Sequence, residues 1–272
     1  MQRAVILGVY DFIGYSLCRY MLDKGIEIVG IHFQKSQDSY FTEEKRLEIG
    51  RNANFKEVIF QEWNASSIDD ILFISLYEED LSNTPFIEDL MKKLEAINVS
   101  NHGIILLLPA SLAGKEAIKK EWQQTLTSIF EKKNVSVLEL YLPTIYGPWQ
   151  PEGFFFQQSL NYLAGENKMP KLASWEWTHD AIYIEDAVKL IINSAEGREE
   201  GKFILASGQD GQWLDCAESV LGSRLEKSLS NLNGNSEIKE NIKIMTVKDN
   251  EDITKGLSMQ KEQYTRIKES RL

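Results

Sequence analysis

The chain has 272 residues, 43% of them hydrophobic, enough to bury one large core or a core with a smaller lobe. A formal net charge of -11 and a pI near 4.9 speak against non-specific binding to nucleic acid or to an anionic membrane surface. No apolar run approaches the ~20 residues needed to span a bilayer, and the chain enters on a strand-like segment rather than a signal peptide.

Cys18 and Cys216 are far apart and lie in helix-like contexts, so neither a disulfide framework nor zinc spacing is present. The histidines His32, His102 and His179 form no metal-ligand pair, and the expectation is a cytoplasmic protein without a metal. Ala4 to Leu7 is a short apolar run of the kind found in central parallel strands. Gly8 and Gly14 bracket a turn, after which Phe12, Ile13, Leu17 and Met21 recur at helical spacing up to a stop at Gly25. Further strands are expected over Glu27 to Phe33, Lys56 to Phe60 and Ile71 to Leu76. Gly103 to Leu108, the most hydrophobic of them, should be central. Helices are expected around Glu43 to Ile49, over Phe86 to Ile97, and over Glu116 to Lys133, whose closing Lys132 and Lys133 suit a helix C-terminus. Val135 to Leu142 completes the strands of a doubly wound parallel α/β sheet of Rossmann-like type.

Beyond Leu142 the pattern changes. Tyr146 to Pro151 is a turn-rich break, and Phe154 to Ala164 reads as a helix. Ala173 to His179 is extended, with Trp175 and Trp177 in alternation, and Ile182 to Ile184 follows as a further extended piece. Helices are expected over Glu185 to Ser194 and Leu214 to Leu221, and strands over Lys202 to Ala206 and Ile242 to Val247. The last ~20 residues read as a helix or a frayed tail. This divides the chain into a dinucleotide-binding-like domain, 1–148, and a smaller α+β lobe, 149–272, interleaved with it.

A strand feeding a helix through a glycine turn is how α/β folds present backbone N–H groups to phosphate. The dinucleotide fingerprint has three glycines, the middle one admitting the pyrophosphate; here the spacing is Gly8-x-x-Asp11-x-x-Gly14. A carboxylate a few ångströms from a phosphate repels it by about 1–4 kcal/mol. The turn therefore reads either as a dinucleotide site or as a turn kept for strand–helix packing. The acid that would bind ribose hydroxyls at the end of the second strand is missing: His32 stands there, followed by Gln34 and Lys35. Lys35 reads as a 2′-phosphate ligand or as a solvated loop lysine.

The order of motifs resembles the extended short-chain dehydrogenases/reductases, the group that includes nucleotide-sugar epimerases and dehydratases. Four segments carry the resemblance: Gly8 to Gly14 with Phe12-Ile13, Asp70 to Leu76, Pro143 to Pro148 with its Tyr146-Gly147-Pro148, and His179 to Val188 with its paired acids. It implies a cofactor, NAD or NADP, held by Gly8, Tyr10, Asp11, Phe12, Ile13, Gly14, His32, Ser75, Lys119 and Pro143. The chemistry of that family needs a Tyr and a Lys four residues apart on one helix face, the ammonium lowering the pKa of the phenol, plus a Ser or Thr on the preceding strand. Counting back from Tyr146, the Tyr position falls at Lys115 and the Lys position at Lys119, or at Glu116 and Lys120 if the register slips by one. The Lys is matched and the Tyr is not, since no Tyr occurs between Tyr77 and Tyr141. Pro109 falls at the Ser/Thr position with Ser111 two residues on, and Tyr141 replaces the arginine that often precedes Tyr-Gly-Pro. Lys119 and Ser111 are thus the catalytic candidates.

Each residue also has a structural reading. Lys119 is flanked by lysines and suits a solvated helix face, and Ser111 suits a helix N-terminus. Tyr146 and Trp149 suit packing where the lobes meet, and Tyr183 and Asp186 suit structural roles. Of Trp175 and Trp177, one reads as core and the other as lining for a flat ligand. Losses at the middle glycine, the ribose acid and the Tyr favour a degenerate member, a pseudoenzyme that binds a nucleotide, another small molecule or a protein partner without redox turnover. The alternative is an active NAD(P)-dependent enzyme on a sugar nucleotide or similar substrate, with an acid/base from Tyr10, Tyr77 or Ser111. A cofactor redox sensor is a third reading. The resemblance also implies a homodimer through the helix holding Lys115 and Lys119.

Overall fold

The computed structural model describes residues 1–33, 40–63, 67–68, 70–78, 84–99, 103–114, 121–166, 168–173, 176–225 and 237–270. The chain forms two compact units and passes between them several times. The first comprises Met1–Leu108, Ala117–Leu140 and Ile191–Phe203; the second comprises Pro109–Glu116, Tyr141–Leu190 and Ile204–Leu272.

The first unit is built on β1 (Arg3–Leu7), whose last four residues are buried. It pairs in parallel with β2 (Glu27–His32) on one side and β5 (Ile71–Ser75) on the other, in registers that set Leu7 beside Ile31 and Ile74. Parallel pairing continues outward from β2 to β3 (Phe55–Ile59) and from β5 to β7 (Ile104–Pro109). With β8 (Val137–Leu142), β11 (Gly201–Ala206) and β12 (Lys243–Thr246), the sheet runs β12-β11-β8-β7-β5-β1-β2-β3. This is the doubly wound order, and its direction reverses between β1 and β5. The expected central strand is confirmed: all six residues of β7 are buried. Continuous apolar runs are required there because helices cover both faces of a parallel sheet.

Helix α1 (Phe12–Asp23) buries Phe12, Ile13, Leu17, Cys18 and Met21 and ends where Gly25, at φ +76°, allows the back-bonds from Gly25 N–H to Leu22 O and from Ile26 N–H to Met21 O. Three more helices belong to this unit: α2 (Tyr40–Ile49), α3 (Thr84–Ala96) and α4 (Glu121–Lys133). Lys133 of α4 donates to Glu95 O and Ile97 O at 2.8 and 2.7 Å and so closes the end of α3. The expected start of α4 at Glu116 falls in 115–120, outside the described residues. A short parallel pair, β4 (Ser67–Ile68) with β6 (Asn98–Val99), was not foreseen.

In the second unit a strand that was not expected leads into the turn-rich break at Tyr146 to Pro151. β9 (Thr144–Tyr146) pairs in parallel with β10 (Ala181–Tyr183), setting Tyr146 beside Tyr183. Three residues carry too little periodicity to show before a partner 37 positions away is known. Ile184, expected to extend β10, instead opens α6 (Ile184–Glu196). Helices α5 (Phe155–Leu163) and α7 (Gln212–Leu221) join the rings of Phe155, Phe156 and Trp213 in one aromatic cluster, with centroids 5.2 and 5.5 Å from Trp213. The C-terminal segment is a helix, α8 (Ile253–Glu269), capped by Asp252 accepting from Lys255 N–H at 3.0 Å. It buries Leu257, Gln260, Tyr264 and Ile267, so this tail is docked.

Gln260 of α8 is fully buried. Its Oε1 accepts from Gly147 N–H at 2.9 Å, and its Nε2 donates to Gln150 Oε1 at 2.8 Å and Gln157 Oε1 at 3.0 Å. Gln263 Oε1 accepts from Trp149 N–H at 3.2 Å. Trp149 sits at φ +74°, a conformation a bulky side chain adopts only when its surroundings impose it. The Tyr-Gly-Pro turn is thus held by a helix more than a hundred residues away.

The α5 N-terminus depends on Glu176, whose carboxylate accepts from Phe155 N–H at 2.9 Å and from Ala173 N–H at 3.0 Å. Burial outweighs those donors and pushes the Glu176 carboxyl up to about 7. A folded-state value above the unfolded one means that the folded chain holds the proton more tightly, so this contribution is full below about 4.5 and is lost as pH rises through about 7. From pH 5 to pH 8 the wild type is expected to lose about 2 kcal/mol more unfolding free energy than Glu176→Gln, which does not titrate. Denaturant midpoints of both proteins at the two pH values check this; parallel changes would reject it.

Candidate functional site

The reversal of strand order lies between β1 and β5, and the crevice outside the carboxyl ends of such strands is where α/β folds bind ligands. The β1–α1 turn leaves β1 at Gly8, at φ +79°, and is tied to β2 by Gly8 N–H and Val9 N–H donating to Ile31 O at 2.9 and 3.2 Å. Asp11 N–H returns to Gly8 O at 3.0 Å. Both outer glycines are required by close approach. A Cβ on Gly14 would stand 2.0 Å from Gly8 O, and one on Gly8 would stand 2.2 Å from Asp11 Oδ2 and 3.1 Å from the Phe33 ring.

The last contact also locates the middle position of the motif. Asp11 is buried at the N-cap of α1, makes no side-chain capping bond, and folds its carboxylate over Gly8. Phe12 N–H, the first amide of α1, donates to the carboxylate of Glu78, just beyond β5. An orphan donor at the positive end of a helix is therefore satisfied by an acid of the same chain. Phe33 stacks edge-on with Phe60 and Phe86 at 5.2 and 5.0 Å, closing the carboxyl ends of β2 and β3 with aromatic rings.

Helix α2 supplies the other wall. Lys45, buried, donates to Tyr10 O at 2.8 Å and lies 5.3 Å from the Tyr15 ring. Arg46 holds Glu57 through Nε at 3.1 and 3.2 Å and Nη2 at 3.0 Å, while its guanidinium carbon lies 5.1 Å from the Tyr10 ring. Tyr10 donates its hydroxyl to Glu57 Oε2 at 3.0 Å, and Tyr15 donates to Glu48. Burial first, and then the adjacent Glu57, raises the Tyr10 phenol above its ordinary value. His32 is buried with its ring 5.1 Å from Tyr10. The Ser75 hydroxyl at the end of β5 is buried and has no hydrogen-bond partner among the described residues.

Gly8, Tyr10, Asp11, Phe12, Ile13, Gly14, His32 and Ser75 all belong to the first unit. Ser111 and Pro143 belong to the second: Ser111 in the 3₁₀ turn Ala110–Leu112, Pro143 between β8 and β9. Lys35, Lys115, Glu116, Lys119, Lys120 and Trp175 lie outside the described residues. Tyr146, Trp149 and Trp177 are buried, and Trp177 meets the His179 ring edge-on at 4.6 Å. Glu78, Phe33 and Lys45 escaped sequence reasoning. No spacing ties them to the glycine turn; the only signal was an acidic run after the fourth expected strand.

For a dinucleotide, the turn keeps its backbone shape but not its charge. Where the motif offers a diphosphate free amides and a glycine, this chain places the Asp11 carboxylate over Gly8 and the Glu78 carboxylate on Phe12 N–H. As arranged, these residues do not fit a diphosphate. Among the described residues no group of three or more His, Cys, Asp and Glu could hold a metal ion, and no helix is long and apolar enough to cross a membrane.

Known structures share this fold along almost the whole chain. The UDP-glucuronic acid 4-epimerase of Bacillus cereus in complex with NAD superposes with a TM-score of 0.71 at 14% identity, covering 97% of this chain and 99% of that one. The UDP-N-acetylglucosamine 4-epimerase of Methanobrevibacter ruminantium M1 gives 0.68 at 16% identity, covering 97% and 98%. The dTDP-glucose 4,6-dehydratase of Bacillus anthracis in complex with NAD gives 0.62 at 13% identity, covering 99% and 98%. The architecture is that of the NAD-dependent nucleotide-sugar epimerases and dehydratases. In sequence the chain is 26% identical over 155 residues to the uncharacterized protein YjaV of Bacillus subtilis (strain 168). That stretch spans 56% of this chain and 66% of YjaV, just under two thirds of its length. No protein-family model matches the chain.

Proposed function

We propose that the protein is a degenerate member of the epimerase/dehydratase fold that binds a nucleotide or a protein partner and carries out no redox turnover. The observation that carries this reading is the lack of a phenol at the helix position that the family's chemistry uses, with Tyr10 already engaged elsewhere. No Tyr occurs between Tyr77 and Tyr141, and the Tyr10 hydroxyl is committed to Glu57. Its pKa is shifted upward, whereas an acid/base Tyr needs a depressed one. The carboxylates at the glycine turn support the same reading, since they disfavour the diphosphate of NAD or NADP.

The test is an assay with NAD⁺ and NADP⁺ on UDP-glucuronic acid, UDP-N-acetylglucosamine and dTDP-glucose, chosen from the structural neighbours. No conversion is expected at enzyme concentrations where a working epimerase would finish in minutes. Conversion that Ser111→Ala abolishes would establish the second reading, an active NAD(P)-dependent enzyme with Ser111 in the proton path. One feature favours that reading: the buried Ser75 hydroxyl, without a hydrogen-bond partner among the described residues, at a strand end where such folds hold ligands.

A further inference from the structure

We infer that Glu78 is an internal competitor for the phosphate position of this fold, so that a dinucleotide binds only by displacing its carboxylate from the start of α1. Three observations converge on one turn. The first amide of α1, Phe12 N–H, donates to the Glu78 carboxylate across 66 residues of sequence. The adjacent Asp11 carboxylate covers Gly8, so a diphosphate brought to this turn meets two like charges. The backbone itself keeps the phosphate-binding shape, with Gly8 at φ +79° and Gly14 packed on Gly8 O. Glu78 gives the amide and the positive end of the helix the partner that a phosphate would otherwise supply.

At the start of α1 the Glu78 carboxylate takes one amide, Phe12 N–H. A diphosphate carries more charge and more acceptor oxygens, so it can exchange with Glu78 when its concentration is high. The two acids play different parts. Asp11 weakens any anion at the turn, whereas Glu78 occupies the place and must leave. The inference rests on the fold and not on the absence of turnover: conversion of a nucleotide sugar by the wild type would reject the proposed function and leave this competition standing.

The test is calorimetric titration of wild type, Glu78→Ala and Glu78→Gln with NAD⁺, and with adenosine, which has no phosphate. Glu78→Ala is expected to bind NAD⁺ at least tenfold more tightly than wild type, with adenosine affinity unchanged. Glu78→Gln, which loses the charge but can still accept from Phe12 N–H, should fall between. Equal NAD⁺ affinity in wild type and Glu78→Ala would overturn the inference, as would a matching gain for adenosine. If Glu78→Ala does not fold, the comparison rests on Glu78→Gln. If neither variant folds, the carboxylate is a structural cap and the competition is rejected.

Discussion

Gly14→Ala is expected to lower the thermal midpoint by roughly 6–12 °C, corresponding to about 3 kcal/mol in a chain of this size. Two effects oppose each other at this site. Gly14 lies in the first turn of α1, where alanine is the better helix former by about 0.5–1 kcal/mol. The added Cβ, however, would stand 2.0 Å from Gly8 O, a backbone atom of the turn that cannot rotate away. Relief requires α1 to move off β1 or the turn to open, and overpacking of that kind costs about 1–3 kcal/mol or more. The clash wins. Gly25→Ala is the control: it faces open space at φ +76°, so its cost is only that of the backbone conformation, about 1 kcal/mol. A Gly14→Ala melt at or above that of wild type would mean that the glycine is not required for strand–helix approach.

Gln260→Ala is expected to cost about 3–5 kcal/mol in denaturant unfolding, measured as a fall in midpoint at constant m-value. The substitution leaves Gly147 N–H without its acceptor and Gln150 Oε1 and Gln157 Oε1 without their donor, all in a region closed to water. Each buried polar group left unpaired costs about 1–3 kcal/mol, and the vacated volume adds to it. Gln260→Leu separates the two contributions, because it fills the space without restoring a hydrogen bond. A leucine variant as unstable as the alanine one would show that the unpaired groups dominate; a loss below 1 kcal/mol in Gln260→Ala would remove the network from the list of what holds the Tyr-Gly-Pro turn.

Much of the sheet was legible because its rules are local. Ala4 to Leu7 and Ile104 to Leu108 are apolar at every position, as strands covered on both faces must be, and Gly25 stops α1 by its own freedom at positive φ. The glycine turn was legible for the same reason, as was the departure from its pattern at Asp11. The short strand β9 was not legible, since three residues show no period until the parallel register is known; β10 was read as the extended piece Ile182 to Ile184, one residue out of place. Nor was the docking of α8, whose sequence is polar enough to read as a frayed tail while its buried stripe includes a glutamine satisfied entirely by other side chains and a turn amide.

The amino-acid sequence by itself determined the parallel α/β class, the position of the glycine turn, and the stretch without a Tyr between Tyr77 and Tyr141, because each is written in residue type and short-range spacing. Only the tertiary structure decided what meets that turn. It set Glu78 on Phe12 N–H from 66 residues away and Glu57 on the Tyr10 hydroxyl from 47, and at the separate Tyr-Gly-Pro turn it set Gln260 on Gly147 from 113. Such contacts follow from which strand ends and helix faces the sheet order brings together. A polar side chain satisfied across that distance leaves no periodic trace in the chain.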